Sequence, residues 1–276
     1  MPRFFQVAML LFVCGGTASA AAYDDFARGL AANQQQESAT AIPAFTAALS
    51  AGDLNASLKP NAYHGRGLAY IRTENCAAAR SDAEAALALK PDYNAARWLH
   101  AGANECLGQF ASALEEYSAL LAAEPVAGAY RIRGNLRWIT GDFSGAVADF
   151  VQVVKLAPNY AYGVIWLALT QTRAGAFNAG EISHASSELD ADEWPAPILA
   201  LFIGKSTPEA VAAAAARGKG QVAIDQKCEA DFYSAEWLLG RGDAAGARTL
   251  LKSAAANCSH TFVEYRDARI ELARLK

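Results

Sequence analysis

Charged residues are scarce in this chain, and those present form no continuous basic run. Only 19% of the 276 residues are Asp, Glu, Lys or Arg, and the formal net charge is −4. A nucleic-acid-binding domain carries a clustered basic surface, and an anionic lipid surface attracts polybasic segments. The composition therefore excludes a nucleic-acid partner from the expected functions, and it gives no charge-based reason for membrane binding.

Histidine is rare as well, and residues suited to catalysis or metal binding are not grouped along the chain. None of the four histidines lies at metal-ligand spacing from a cysteine pair. The sequence has neither a phosphate-binding glycine loop nor a nucleophile elbow. We therefore predict no cofactor, no metal ion and no enzymatic activity. The rival interpretation is an envelope hydrolase that uses an unrecognised pair of acids.

Long hydrophobic runs are missing except at the N-terminus. Residues 1–20 read MPRFFQVAMLLFVCGGTASA, with Arg3 before an apolar run and small residues up to Ala20. This order is typical of a secretory signal peptide, and the run is too short to be a stable membrane anchor. We expect cleavage after Ala20 and a soluble periplasmic product. The alternatives are a lipoprotein anchored to the outer membrane through Cys14, and a buried first helix.

Proline and glycine recur with a period of 33 or 34 residues. The prolines that close apolar runs are Pro91, Pro125 and Pro158. The recurring glycines are Gly108, Gly141, Gly175 and, after twice the period, Gly242. This period, with small residues such as Ala113 and Ala146 at fixed offsets, is typical of the tetratricopeptide repeat, a helix-turn-helix unit. We predict an all-α tetratricopeptide-repeat helix-turn-helix solenoid with a C-terminal capping helix, which a repeat array needs to cover its last apolar face.

The same pattern divides the chain into four segments. They are a signal peptide (1–20), tetratricopeptide repeats (21–194), an irregular helical insert (195–227), and a C-terminal repeat with its capping helix (228–276). The individual repeats are predicted at about 22–55, 60–93, 94–126, 127–160, 161–194 and 228–261.

Four cysteines remain once the predicted signal peptide is removed. An exported protein meets an oxidising compartment, where an even number of cysteines suggests disulfides. In the repeat register, Cys228 and Cys258 lie at ends of two antiparallel helices that meet. Cys76 lies in the bend of one repeat, and Cys106 lies near the end of the first helix of the next. We predict the pairs Cys76–Cys106 and Cys228–Cys258; the alternative is free, buried thiols.

First helices of tetratricopeptide repeats line a concave groove that can hold a peptide or a partner helix. The groove positions predicted by the register are His64, Trp98, Arg131, Asn135, Trp138 and Tyr162. Arg131 and Asn135 share a helix face and resemble the first half of the carboxylate clamp in chaperone-binding members. The next repeat offers Tyr162 and Trp166 where the clamp needs another Asn and a base. For the tryptophans, packing between repeats is the alternative.

The C-terminal third resembles the end of NlpI-type proteins, the tetratricopeptide lipoproteins of bacterial envelopes. The matching features are Phe232-Tyr233, Gly242-Asp243, Ala254 to Ala256, Phe262-Val263-Glu264 and, further upstream, Leu199 to Thr207. The resemblance implies a non-enzymatic adaptor that forms homodimers, binds a periplasmic protease and links it to peptidoglycan hydrolases. Two features depart from the family: a convincing lipidation site is missing, and four cysteines suit disulfides. The adaptor is therefore expected at the membrane only if it is lipidated.

Overall fold

The computed structural model describes residues 16–187, 189–190, 193–260 and 262–276. Residues 1–15, which hold most of the predicted signal peptide and Cys14, lie outside this set. Within the described ranges the regular structure is entirely α-helical. None of the described helices is both long enough and apolar enough to cross a membrane.

Fifteen helices occur in the described part of the chain. They are α1 (Gly16–Gln34), α2 (Ser38–Ser50), α3 (Lys59–Arg72), α4 (Cys76–Leu89), α5 (Asn94–Cys106), α6 (Phe110–Ala123), α7 (Ala127–Thr140), α8 (Phe143–Leu156), α9 (Ala161–Arg173), α10 (Ala179–Ala185), α11 (Ala196–Phe202), α12 (Pro208–Ala215), α13 (Gln221–Leu239), α14 (Ala244–Asn257) and α15 (Val263–Arg274).

The chain forms two compact units that meet in sequence between Leu120 and Leu121. In unit one, α1 packs on α2, α3 packs on α4, and α2 and α4 each contact the helix that follows. In unit two, the successive pairs are α7 with α8, α8 with α9, α13 with α14, and α14 with α15. Helix α13 begins at Gln221, inside the segment predicted as an irregular insert, and the short helices α11 and α12 fill the rest of that segment.

The recurring prolines and glycines lie at the helix ends and bends. Pro91, Pro125 and Pro158 lie two positions after the last residues of α4, α6 and α8, respectively. Proline has no backbone N–H and cannot continue the helical hydrogen-bond pattern, so it marks the end of each helix. The recurring glycines all have positive φ, for example +85° at Gly141 and +81° at Gly242. This left-handed conformation is strained for residues with a Cβ, which explains glycine at the bend. In the second repeat the non-glycine residue Glu74 occupies the bend with a φ of 57°.

Small residues allow the paired helices to approach closely. A Cβ added to Gly134 on α7 would lie 2.9 Å from the Phe150 ring and 3.2 Å from Asp149 Cβ on α8. Ala146, which faces the same interface, is fully buried. The period-34 small residues are therefore required by helix contact and not by local propensity.

Both disulfides join the cysteines that the repeat register pairs. Cys76, the first residue of α4, is bonded to Cys106, the last residue of α5, with a Cα–Cα distance of 5.7 Å. In unit two, Cys228 on α13 is bonded to Cys258 at the end of α14, with a Cα–Cα distance of 5.0 Å. Each bridge therefore ties together two helices of a single unit.

Candidate functional site

The two predicted groove residues of unit one, His64 and Trp98, are each half buried against a tyrosine. The His64 ring centroid lies 5.6 Å from that of Tyr93, and the Trp98 ring centroid lies 5.4 Å from that of Tyr117. Burial lowers the pKa of His64, so its imidazole is neutral near physiological pH. Both rings are thus engaged in aromatic pairs within the unit, and a role for them in binding stays a prediction.

Trp138 differs from its predicted place in a groove, because its side chain is fully buried in the core of unit two. Its ring packs edge-on against Trp166 at 5.6 Å and against Phe232 at 6.2 Å. The guanidinium of Arg274, on α15, lies 5.0 Å from the ring centroid and also donates to the Trp138 carbonyl oxygen at 2.9 Å. The C-terminal helix therefore covers this part of α7, and the packing alternative holds for Trp138.

The remaining three groove residues, Arg131, Asn135 and Tyr162, meet in one cleft of unit two with a volume of about 240 Å³. Helix α7 supplies the first two from adjacent turns, and α9 supplies the tyrosine. The residues that complete the lining come from the α8–α9 connection, from α9, from α13, and from the start of α15 with the residue before it; they are Tyr160, Trp166, Glu229, Tyr233, Phe262, Val263 and Glu264. A larger cleft of about 470 Å³ beside α10 is mainly apolar and contains none of the predicted groove residues.

Asn135 lies in the wall of this cleft with a buried amide. Its side chain is only 6% exposed, and its Oδ1 has no hydrogen-bond partner among the described residues. A buried acceptor without a donor is costly, and such groups are rare in folded proteins. The Asn135 oxygen therefore has an unmet hydrogen bond beside the cleft, and a donor from outside the chain would reach it only after a local opening of the cleft wall, because the atom itself has almost no exposed surface.

Two carboxylates also line the cleft, the buried Glu264 and the half-buried Glu229, and both accept hydrogen bonds from neutral donors. Glu229 accepts hydrogen bonds from the Tyr162 hydroxyl at 2.7 Å and from the Trp194 indole N–H at 2.5 Å. Glu264 accepts a hydrogen bond from the Tyr233 hydroxyl at 2.8 Å. Burial raises the pKa of Glu229, and it raises the pKa of Glu264 to about 7. Both acids are therefore poised to gain from a positive charge placed beside them.

Arg131 is the only cationic side chain in the cleft lining. Within the described part of the chain it is in no ion pair or hydrogen bond. Burial raises the pKa of Tyr160, and the positive charge of Arg131 nearby offsets part of that rise. Its five N–H donors remain available for acceptors on a ligand. The arrangement suits recognition of a polar peptide through donors on α7 and acceptors on α13 and α15. Among the described residues, no cluster of three or more His, Cys, Asp or Glu is placed to hold a metal ion.

Sequence reasoning did not assign the two acids to the site. Glu264 belongs to the Phe262-Val263-Glu264 succession that carries the family resemblance, and all three residues line the cleft. The resemblance at these three positions was therefore the feature of the sequence that could have indicated Glu264 as a site residue. Glu229 had a different signal in the repeat register: it lies 67 residues, twice the period, after Tyr162 and so occupies the same first-helix position in the last repeat.

No protein-family model matches the sequence. Many solved structures are similar to it in fold, among them these three. The apo form of RapI has 13% identity and a TM-score of 0.64, with 92% of this chain and 99% of that chain covered. A tetratricopeptide repeat protein from Parabacteroides merdae ATCC 43184 has 16% identity and a TM-score of 0.57, with 91% of this chain and 98% of that chain covered. The MamA protein has 14% identity and a TM-score of 0.51, with 61% of this chain and 93% of that chain covered.

These similarities bear on the fold alone, because every identity is low. The helix pairs of both units and the left-handed bends at a period of 33 or 34 agree with them. The predicted all-α helix-turn-helix class is confirmed, and the chain has a fold of the tetratricopeptide-repeat type.

Proposed function

We propose that this protein is a non-enzymatic adaptor of the bacterial envelope that binds segments of partner proteins through the unit-two cleft. The observation that carries the proposal is the meeting of Arg131, Asn135 and Tyr162 in one cleft around a buried amide oxygen that lacks a donor. A ligand that supplies this donor gains a hydrogen bond without first breaking one inside the protein.

The periplasmic setting is supported by two independent features. The N-terminal segment has the composition of a secretory signal peptide, and each unit carries a disulfide between its helices. The resemblance of the C-terminal third to NlpI-type proteins adds the expected partners, a periplasmic protease and peptidoglycan hydrolases, and a homodimeric state. These identities are part of the proposal.

The proposal is tested by affinity capture from an envelope extract with the full mature chain as bait. Wild type is compared with Arg131→Ala, and with Arg217→Ala as a matched truncation at an exposed arginine outside the cleft. We expect partners identified by mass spectrometry to be retained by Arg217→Ala and lost by Arg131→Ala. Each partner is then purified and its affinity measured with the same three proteins. Equal affinity for all three would contradict a role for the cleft.

Two alternatives are separated by direct measurements. The intact mass of the mature protein distinguishes cleavage after Ala20 from a lipidated N-terminus at Cys14. Purified protein incubated with peptidoglycan or with denatured protein substrates tests for hydrolase activity. Cleavage without any partner would contradict the adaptor proposal and favour the envelope hydrolase.

A further inference from the structure

We propose that the occupant of the unit-two cleft is a basic side chain, Lys or Arg, carried by the bound segment. This inference rests on the proposed function and names the chemistry that the cleft selects. It departs from the expectation that Arg131 and Asn135 form half of a carboxylate clamp.

The polar groups of the lining are mostly acceptors. Asn135 contributes a buried oxygen without a partner, and Glu229 and Glu264 contribute two carboxylates. A carboxylate ligand would face both acids in a confined space, where like charges are unfavourable. An ammonium or guanidinium group offers several donors and no acceptor, which matches the acceptors of the cleft.

The charge balance of the lining also favours a cation. When both acids are ionised they exceed the single positive charge of Arg131. They are held in the protein by hydroxyl and indole donors, which carry no charge to offset them. A cation brought in by the ligand therefore offsets part of the cost of keeping one buried and one half-buried carboxylate partly out of water.

The remaining walls suit the aliphatic stem of a long basic side chain. Trp166, Phe262 and Val263 line the cleft with apolar surface, and the Tyr160 ring lies at its edge, 38% exposed. Lys and Arg bury their methylene stems along such surfaces while the charged end reaches polar groups. Arg131 is then left to donate to backbone carbonyl groups of the same segment.

Glu264 makes this recognition sensitive to pH. The groups that act on it are Tyr233 and Glu229 from α13, Asp267 from α15, Tyr162 from α9, and Tyr160 just before α9. Its pKa of about 7 means that it gains its charge as the pH rises through neutrality. A basic ligand should therefore bind more tightly at about pH 8 than at about pH 6, whereas an acidic ligand should show the opposite trend.

The experiment is a selection of random peptides displayed on phage against the immobilised mature chain. The baits are wild type, Glu264→Gln, Glu229→Gln and the exposed-acid control Glu115→Gln. We expect wild type and Glu115→Gln to enrich peptides with Lys or Arg at a fixed position. Replacing that residue by norleucine in the synthetic peptide should weaken binding about tenfold or more, a loss of about 1.4 kcal/mol. With Glu264→Gln or Glu229→Gln as the bait, the same norleucine replacement should weaken binding only about threefold or less, since each variant removes one of the two negative charges.

Circular dichroism of each variant checks that it is folded. Enriched peptides that lose binding in Arg131→Ala but carry an acidic or apolar residue at the fixed position would overturn this inference and leave the adaptor proposal standing. If no peptide is enriched by wild type, both proposals fail.

Discussion

Arg133 on α7 donates two hydrogen bonds to Asp149 on α8, at 3.0 Å from Nε and 2.6 Å from an Nη. Arg66 and Asp82 form the same paired contact between α3 and α4, at 2.9 and 2.7 Å. Each pair spans sixteen residues, and the two pairs lie 67 positions apart, which is two repeat lengths. A buried ion pair thus links the two helices at the same place in different repeats.

The repeat between them has a related pair. His100 and Glu116 occupy the equivalent positions, with the His100 Nδ1 2.9 Å from a Glu116 carboxylate oxygen. The period visible in the glycines therefore extends to a polar contact between the two helices of a repeat.

Removing the charge of Asp149 should destabilise unit two strongly. Its side chain is almost fully buried and accepts from Arg137 as well as from Arg133, so Asp149→Asn leaves two partly buried guanidinium groups poorly compensated. We expect a loss of about 3–5 kcal/mol in the free energy of unfolding, measured by urea denaturation. Asp25→Asn, in the exposed pair with Arg28, is the control and should cost less than about 1 kcal/mol. Equal losses would contradict a structural role for the repeated pair.

The bend residue Glu74 should be replaceable by glycine with a gain in stability. Its φ of 57° is strained for a residue with a Cβ, and four later bends carry glycine, although the first repeat has Gln36 at its bend with a φ of 60°. Glu74→Gly should raise the free energy of unfolding by up to about 1 kcal/mol, since relief of strain exceeds the added chain entropy of glycine. Gly141→Ala tests the reverse. Its Cβ would meet open space, so the expected loss of about 1 kcal/mol reports the backbone conformation alone.

The disulfide of unit two should contribute measurably to its stability. Cys228 and Cys258 are 30 residues apart, and a loop of this length corresponds to about 3–4 kcal/mol in the chain-entropy model. We expect the double variant Cys228→Ala/Cys258→Ala to have a lower Tm than wild type. Adding a reductant to this double variant should lower its Tm further, because the Cys76–Cys106 disulfide is still present and can be reduced. Four reactive thiols in denatured, unreduced mature protein would contradict both pairings.

Stability should fall as the pH rises from about 5 to about 8, and Glu236 should be one cause. Burial, with the negative charge of Glu271 nearby, raises its pKa to about 8 despite a hydrogen bond from Arg173 at 2.8 Å. The folded state therefore keeps this proton over a range in which the unfolded chain releases it, and stability is lost with rising pH. Glu236→Gln should flatten the dependence of Tm on pH, measured by thermal unfolding in matched buffers. Glu115→Gln, at an exposed position, should leave the slope unchanged.

The sequence by itself determined the helix-turn-helix class and the positions of the bends. This was possible because both depend on local chemistry repeated at a fixed period. Proline stops a helix wherever it occurs, and glycine permits positive φ at Gly108, Gly141, Gly175 and Gly242 without help from neighbours. The cysteine pairs also followed from the register, since each joins helices that are close in sequence.

Only the tertiary structure decided which face of α7 remains open. Trp138 and Asn135 are three residues apart, yet α15 covers the first and the second lines a cleft. Glu229 lies two repeat lengths after Tyr162, at the same place in its repeat, whereas Glu264 joins Arg131 from the capping helix, which lies outside the predicted repeats. The cleft depends on packing between distant helices, which a repeat register does not encode; the register identifies the candidate groove residues, and packing decides which of them line the cleft.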